Sequence, residues 1–223
     1  MNTAGHSYPK SIILQAVYFK LRFTLSYRDV EEIMKMRGVH VDHATIQRWF
    51  YKFTPFIESE IKKRKVRVGT SWRLDETYIK VKGIWCYLYR AVDKLGNTVD
   101  FLLTRRRQRM SAQSFLIKAI SNNCIPRVIN IDKSGSNIAA IKVYNKRSFS
   151  KIKIRQCKYL NNIAEQDHRF IKWRIQNGLG FKNFESARRT LSGIEVVHML
   201  RKNQMIRPGI SMFKSFCNWR ANF

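Results

Sequence analysis

From Ser11 to Phe23 the apolar residues Ile12, Ile13, Ala16, Val17, Phe19 and Leu21 recur at helical spacing, which predicts an amphipathic helix. Ser26 precedes YRDVEEIMKMR, with Asp29 three residues on as in a capping box and Gly38 as the stop. Asp42 is placed to cap a third helix, HATIQRWFYKF, expected to end before Pro55. The basic stretch Phe56 to Val68 reads as a helical extension running into a linker. From Trp72 the period changes to two. WRLDETYIKVK, Trp72 to Lys82, alternates across Leu74, Thr77, Ile79 and Val81 and predicts a strand. Gly83 turns it into a second strand, Trp85 to Asp93, and Gly96-Asn97 into a third, Thr98 to Thr104, an antiparallel meander.

Ser111 is expected to cap a helix ending at Ile120, and Arg127 to Asp132 (RVINID) has the near-continuous apolar character of a buried, parallel-type strand. Residues 133–157 carry the weakest pattern: a short helix or loop, then a possible strand at KIKIR. Asn161 or Asn162 can cap a helix, IAEQDHRFIKWRI, on which Glu165, His168 and Lys172 share one face. A last helix, Ser186 to Lys202, is expected to pack Leu191, Ile194, Val197 and Leu200 on one side. A tail after Pro208 adds Met212, Phe213, Phe216 and Trp219. Strands, helix, buried strand and further helices make an α/β order with a mixed sheet behind an all-α segment. The boundaries read from the sequence are 1–68, 69–205 and a 206–223 tail.

Charge narrows the class. The chain has 43 Lys and Arg against 15 acids among 223 residues, a net +28, and such a field attracts polyanions, with nucleic acid the default partner. Two short helices around the Gly38 turn then fit a helix-turn-helix, with Gln47 and Arg48 toward base edges and Lys52 toward a phosphate; an ordinary three-helix packing unit is the alternative. Arg105, Arg106 and Arg107 open an exposed RRRQR cluster suited to phosphates. The four cysteines are scattered, which suits reduced thiols in a cytoplasm, and neither a leader-like segment nor a membrane span is legible, so a cytoplasmic, nucleoid-associated protein is expected.

Acids are scarce enough that their placement matters. Asp75 lies mid-strand, where a carboxylate is costly without a cation or solvent; pairing with Arg73 is the plain alternative. Asp132 closes the buried strand, where open α/β sheets place ligand-binding groups, though it could be a strand-end cap. Glu165 lies on a late helix, with Arg169 or Lys172 as possible surface partners. Were the three to converge, they would need cations, and Mg²⁺ suits oxygen ligands that leave room for substrate phosphate. Glu76 is expected on the opposite sheet face from Asp75.

SYRDVEEIMKMRGVHVDHATIQRWF, WRLDETYIKVKGIWCYLYRAVDKLGNTVDFLL, YLNN and EQDHRFIKWR resemble the DDE transposases of bacterial insertion sequences, specifically the IS six family, over about Tyr8 to Lys202. The resemblance implies a ribonuclease-H-like catalytic domain behind a helix-turn-helix, with Asp75, Asp132 and Glu165 as the DDE acids holding two Mg²⁺, for which Mn²⁺ would substitute. It implies phosphate contacts for Lys133 and Lys172, and acid–base, DNA-contact or structural work for His168. It further implies DNA as partner, both element ends and target, and action as a homodimer or higher synaptic complex. The chain departs from the family at Ile131, where Thr is usual, at Ala164, where a bulkier aliphatic residue is usual, and in a short Asp132–Glu165 gap. Two other readings stay open: a decayed copy that binds element ends as a repressor, and a nuclease that cuts without joining.

Overall fold

The computed structural model describes residues 8–132, 135–176 and 180–217; the expectations placed on Lys133 and Trp219 lie outside them. In chain order the elements are α1 (Lys10–Arg22), α2 (Tyr27–Met36), α3 (His43–Lys63), β1 (Ser71–Val81), β2 (Ile84–Asp93), β3 (Thr98–Thr104), α4 (Arg109–Asn122), β4 (Val128–Ile131), α5 (Gly135–Ser148), β5 (Lys153–Gln156), α6 (Lys158–Gln176), α7 (Phe184–Arg201) and α8 (Met212–Cys217). They form two compact units: residues 1–66 with 174–223, and residues 67–173. The sequence boundaries group the chain differently, because α7 packs with α1 and α3.

The helical unit starts with local chemistry. The Ser26 hydroxyl accepts from the Asp29 N–H, and the Asp29 carboxylate accepts from the Ser26 N–H at 2.6 Å, so the expected capping box forms. Asp42 accepts from the N–H groups of Ala44 and Thr45 and starts α3. The helix then does not stop at Pro55, as the sequence led us to expect, but continues to Lys63. Proline removes the N–H that would bond the Tyr51 carbonyl. The Arg189 guanidinium from α7 donates to that carbonyl instead, at 2.9 Å, so the broken rung has a partner. Apolar residues of α1, α2 and α3, among them Val17, Met34, Trp49 and Ile57, bury against Val196 and Val197 of α7 and Phe216 of α8. Phe213 and Phe216 each stand edge-on to Tyr18, 5.1 Å between centroids. The sequence reading gave α7 one apolar side; in fact every residue from Leu191 to Leu200 is buried, because α1, α3 and α8 all pack against the helix. Gly193 allows that closeness, since a Cβ there would fall 2.1 Å from Leu21.

The second unit is built on a five-stranded sheet of order β3-β2-β1-β4-β5. β1, β2 and β3 form the antiparallel meander, and β4 and β5 run parallel to β1. This mixed sheet flanked by helices is the ribonuclease-H-like arrangement. Lys82 and Gly83 both have positive φ, 47° and 80°, so the β1–β2 connection is a tight two-residue turn whose twist matches the strands. Trp72, Leu74, Tyr89, Ala91, Ile129 and Ile131 share one face of the sheet and bury against Ala112, Phe115 and Leu116 of α4 and Ala140 and Ile141 of α5. Two helix starts differ from expectation. α4 begins at Arg109 without a side-chain cap, while Ser111 donates to the Arg106 carbonyl. α6 begins at Lys158, which puts Asn161 inside the helix, where it accepts from the Asn130 amide at 2.7 Å. The poorly patterned stretch resolves into α5 and β5.

Candidate active site

Side chains alternate between the faces of a strand, so Asp75 and Glu76 part company on β1. Glu76 joins the apolar face, opposite Tyr89, where it is nearly buried and ion-paired with Arg107. Burial, and then the Glu76 charge, push the Tyr89 phenol well above its usual range. Asp75 points the other way, toward α6, and its Oδ2 lies 3.1 Å from Nε2 of the buried His168. Arg73, the alternative partner weighed from sequence, instead donates to the Ser71 carbonyl at 3.3 Å.

Two further contacts set α6 on this face. Arg90, across β2 from Asp75, donates to Asp167 at 2.6 Å, and both side chains are buried. Asn130 of β4 reaches Asn161 and the Cys157 carbonyl. Neither Arg90–Asp167 nor Asn130–Asn161 was singled out from the sequence, although a signal was present. Arg90 and Asn130 are the polar residues in otherwise apolar strand interiors, and a buried polar group needs a partner.

Leu74 pairs with Ile131 in the parallel β1–β4 register, so the chain continues from adjacent positions into Asp75 and Asp132. Both line one cleft of about 270 Å³ with Glu76, Tyr78, Arg107 and Asn137. An adjoining cleft of about 270 Å³ is lined by Asp75, Glu76, Thr77, Glu165, His168, Arg169 and Lys172. Asp75 and its neighbour Glu76 are therefore common to both, while Asp132 and Glu165 each border one. Asp75, Asp132 and Glu165 thus line two adjoining clefts and not a single one. Among the described residues no three His, Cys, Asp or Glu side chains stand close enough to hold one ion together. The all-oxygen donor set of Asp75, Asp132 and Glu165 nevertheless fits a hard divalent cation, and Arg107, Arg169 and Lys172 supply positive charge at the rims.

The basic residues divide by role. Arg105, Arg106 and Arg107 are all exposed, and the guanidinium of Arg107 is in addition held by Glu76 at the rim of the first cleft. In the helical unit Gln47, Arg48 and Lys52 all lie exposed on α3. Arg48 donates to Thr45 Oγ1 at 2.8 Å, and that hydroxyl donates to Asp42, so the cap also orients the arginine. Among the described residues no helix is long and apolar enough to cross a membrane.

Residues 69–204 match the family DDE_Tnp_IS240, a DDE domain. The transposase for insertion sequence-like element IS431mec of Staphylococcus aureus (strain Mu50) is 41% identical over 196 residues, covering 86% of this chain and 85% of that protein. The transposase for insertion sequence element IS257 in transposon Tn4003, also from Staphylococcus aureus, is 40% identical over the same length and coverage. Among solved structures, the HTLV-2 integrase catalytic core domain in complex with magnesium (trimeric form) aligns with 60% of this chain and 88% of its own, at 16% identity and a TM-score of 0.46. The catalytic core domain of BIV integrase aligns with 67% of this chain and 94% of its own, at 15% identity and a TM-score of 0.45.

Proposed function

The chain belongs to the IS six family of insertion-sequence DDE transposases, phosphodiester-cleaving and nucleotidyl-transfer enzymes, and on that premise we propose that it binds the terminal inverted repeats of its element and carries out Mg²⁺-dependent strand cleavage and strand transfer. The observation that carries this reading is the pair of adjoining clefts that share Asp75 and Glu76, one bordered by Asp132 and the other by Glu165. Asp75 with Asp132, and Asp75 with Glu165, would hold two Mg²⁺, with Mn²⁺ able to substitute. Bound there, the ions supply activation of the attacking oxygen and charge neutralisation at the leaving oxygen.

The protein's own groups do the positioning. His168 stands beside the Asp75 carboxylate, its Nε2 at 3.1 Å. Arg107 in the first cleft, and Arg169 and Lys172 in the second, contact the phosphates that flank the scissile bond. Lys133, beside Asp132 in sequence, adds a further phosphate contact. Water breaks one strand at the element end, and the released 3′-hydroxyl attacks a target phosphodiester; one such bond is exchanged for another, so no external energy source is required. On α3, Gln47 and Arg48 read base edges and Lys52 holds a phosphate, while Arg105 and Arg106 bind the DNA backbone. Two copies or more act together, so that both ends are handled in one complex.

Strand transfer in vitro tests the reading. Labelled DNA carrying the element's end is incubated with protein, target plasmid and Mg²⁺, beside Asp132→Asn. Joined product is expected from the unaltered protein and a loss on the order of 10³-fold or more from the variant, since the ion's charge stabilisation amounts to several kcal/mol. Joining by both proteins at similar rates would remove Asp132 from the site. Binding of the end without cutting or joining would point to a repressor of element ends.

A further inference from the structure

The β1–β2 hairpin carries a row of aromatic rings that begins in the core and ends in solvent. Tyr89, Tyr87 and Trp85 fall at every second residue of β2, and Tyr78 and Lys80 lie opposite Tyr87 and Trp85 on β1, all on one face. At the inner end Tyr89 is fully buried and stacks on Phe115 of α4, 5.9 Å between centroids. Outward, Tyr78 meets Tyr87 at 5.3 Å and Trp85 at 6.3 Å, in both cases edge to face. Tyr78 is 48% and Trp85 55% exposed. The rings do not stack face to face on one another, so flat aromatic surface stays open to solvent. Basic groups accompany it: the Lys80 ammonium stands 5.5 Å from the centre of the Trp85 ring, and Lys82 is exposed in the turn.

Packing accounts for the buried half of this row and not for the exposed half. An exposed aromatic patch interleaved with cations has the chemistry of a base-stacking surface: π faces for the bases, ammonium groups for the backbone. Its place is specific as well. Tyr78 lines the same cleft as Asp75, Asp132 and Arg107, and it follows Asp75 by three residues, about 10 Å along the strand. Bases inside a duplex have their faces covered by their neighbours, so only unpaired bases can use such rings. We infer that Tyr78 and Trp85, with Lys80, form a stacking platform for unpaired nucleotides of the DNA strand whose scissile phosphate lies in the Asp75–Asp132 cleft. The inference rests on the reading of those clefts as the site of DNA cleavage, and adds that the enzyme holds the DNA end frayed.

The test compares two DNAs carrying the element's end, one fully paired and one with a few unpaired nucleotides at the terminus, one of these being the fluorescent base 2-aminopurine. Affinity and 2-aminopurine emission are measured for the unaltered protein, Trp85→Ala, Trp85→Phe and Tyr78→Ala, with sedimentation of each protein alone. The unaltered protein is expected to prefer the frayed DNA by about tenfold, the order of one base–aromatic stack. Trp85→Ala and Tyr78→Ala should lose most of that preference and alter the emission of the bound base, while Trp85→Phe keeps both. Affinity for paired DNA should be the same in the unaltered protein and the two Trp85 variants. Equal affinity of the unaltered protein for both DNAs, with paired binding intact, overturns the platform and leaves the transposase reading standing. Failure to bind either DNA overturns both. Loss of self-association in Trp85→Ala, with the 2-aminopurine signal unchanged, assigns the patch to a second copy of the chain and overturns the platform.

Discussion

Toward α4 and α5 the sheet presents Trp72, Leu74, Tyr89, Ala91, Ile129 and Ile131, packed against further apolar side chains. Toward α6 it presents Arg73, Asp75, Thr77, Arg90 and Asn130 interspersed with apolar neighbours, and several of these polar groups have a named partner on that helix. The first face gains stability in proportion to the apolar area it buries and tolerates small changes of shape. The second holds α6 through the Asn130–Asn161 hydrogen bond, the Arg90–Asp167 ion pair and the Asp75–His168 contact, which fit together in one register. A helix slide of one residue would separate Asn161 from Asn130 and Asp167 from Arg90 together. One sheet thus serves two ends: one face secures the fold, and the other fixes where Glu165 and His168 stand relative to Asp75.

The largest effect is expected at Arg90. Arg90→Ala removes the guanidinium that pairs with the buried Asp167 and should cost about 3–5 kcal/mol in a denaturant titration, with the proposed strand transfer lost as well. The double change Arg90→Met with Asp167→Leu restores apolar packing in place of the pair. It is expected to recover most of the stability but not the strand transfer, because register is no longer specified. Recovery of both would show that the pair contributes only to stability.

Asn130→Ala comes next. It strands the Asn161 side chain and should cost about 1–3 kcal/mol, with a fall in strand transfer beyond what the loss of folded protein explains. Activity per folded molecule, measured well below the melting temperature, separates the two effects. The smallest change expected comes from the apolar face. Ile129→Val, one position away on β4, should cost about 0.5–1.5 kcal/mol and leave activity per folded molecule unchanged. A large activity loss there would erase the distinction between the faces.

What could be read from the sequence was mostly what neighbours in the chain decide. The Ser26–Asp29 box, the Asp42 cap, the turn at Gly83 and the two strands that it joins depend on residues within a few positions of one another, and all of these appear in the structure. Where a distant partner decides, local chemistry misleads. Pro55 reads as a helix end until Arg189, far along the chain, takes up the Tyr51 carbonyl. Asn161 reads as a cap until Asn130 claims it from β4. Arg107 reads as one of several like arginines until Glu76 draws it into the cleft. For the site, alternation was enough to separate Asp75 from Glu76, whereas the Asp75–His168 contact depends on how α6 lies across the sheet, which no local pattern encodes.

The helical unit is assembled from residues 1–66 and 174–223, and this has a consequence for the order in which the protein is made. During synthesis α1, α2 and α3 leave the ribosome long before α7, the helix that fills their centre and whose Arg189 mends α3. At roughly 5–20 residues per second, the intervening segment alone takes on the order of 5–20 s to translate. The sheet unit, continuous in the chain, can complete its core during that delay. The three leading helices spend the same interval with the apolar surface around Leu21, Trp49 and Ile57 uncovered, open to chaperones or to the late helix of a neighbouring nascent copy.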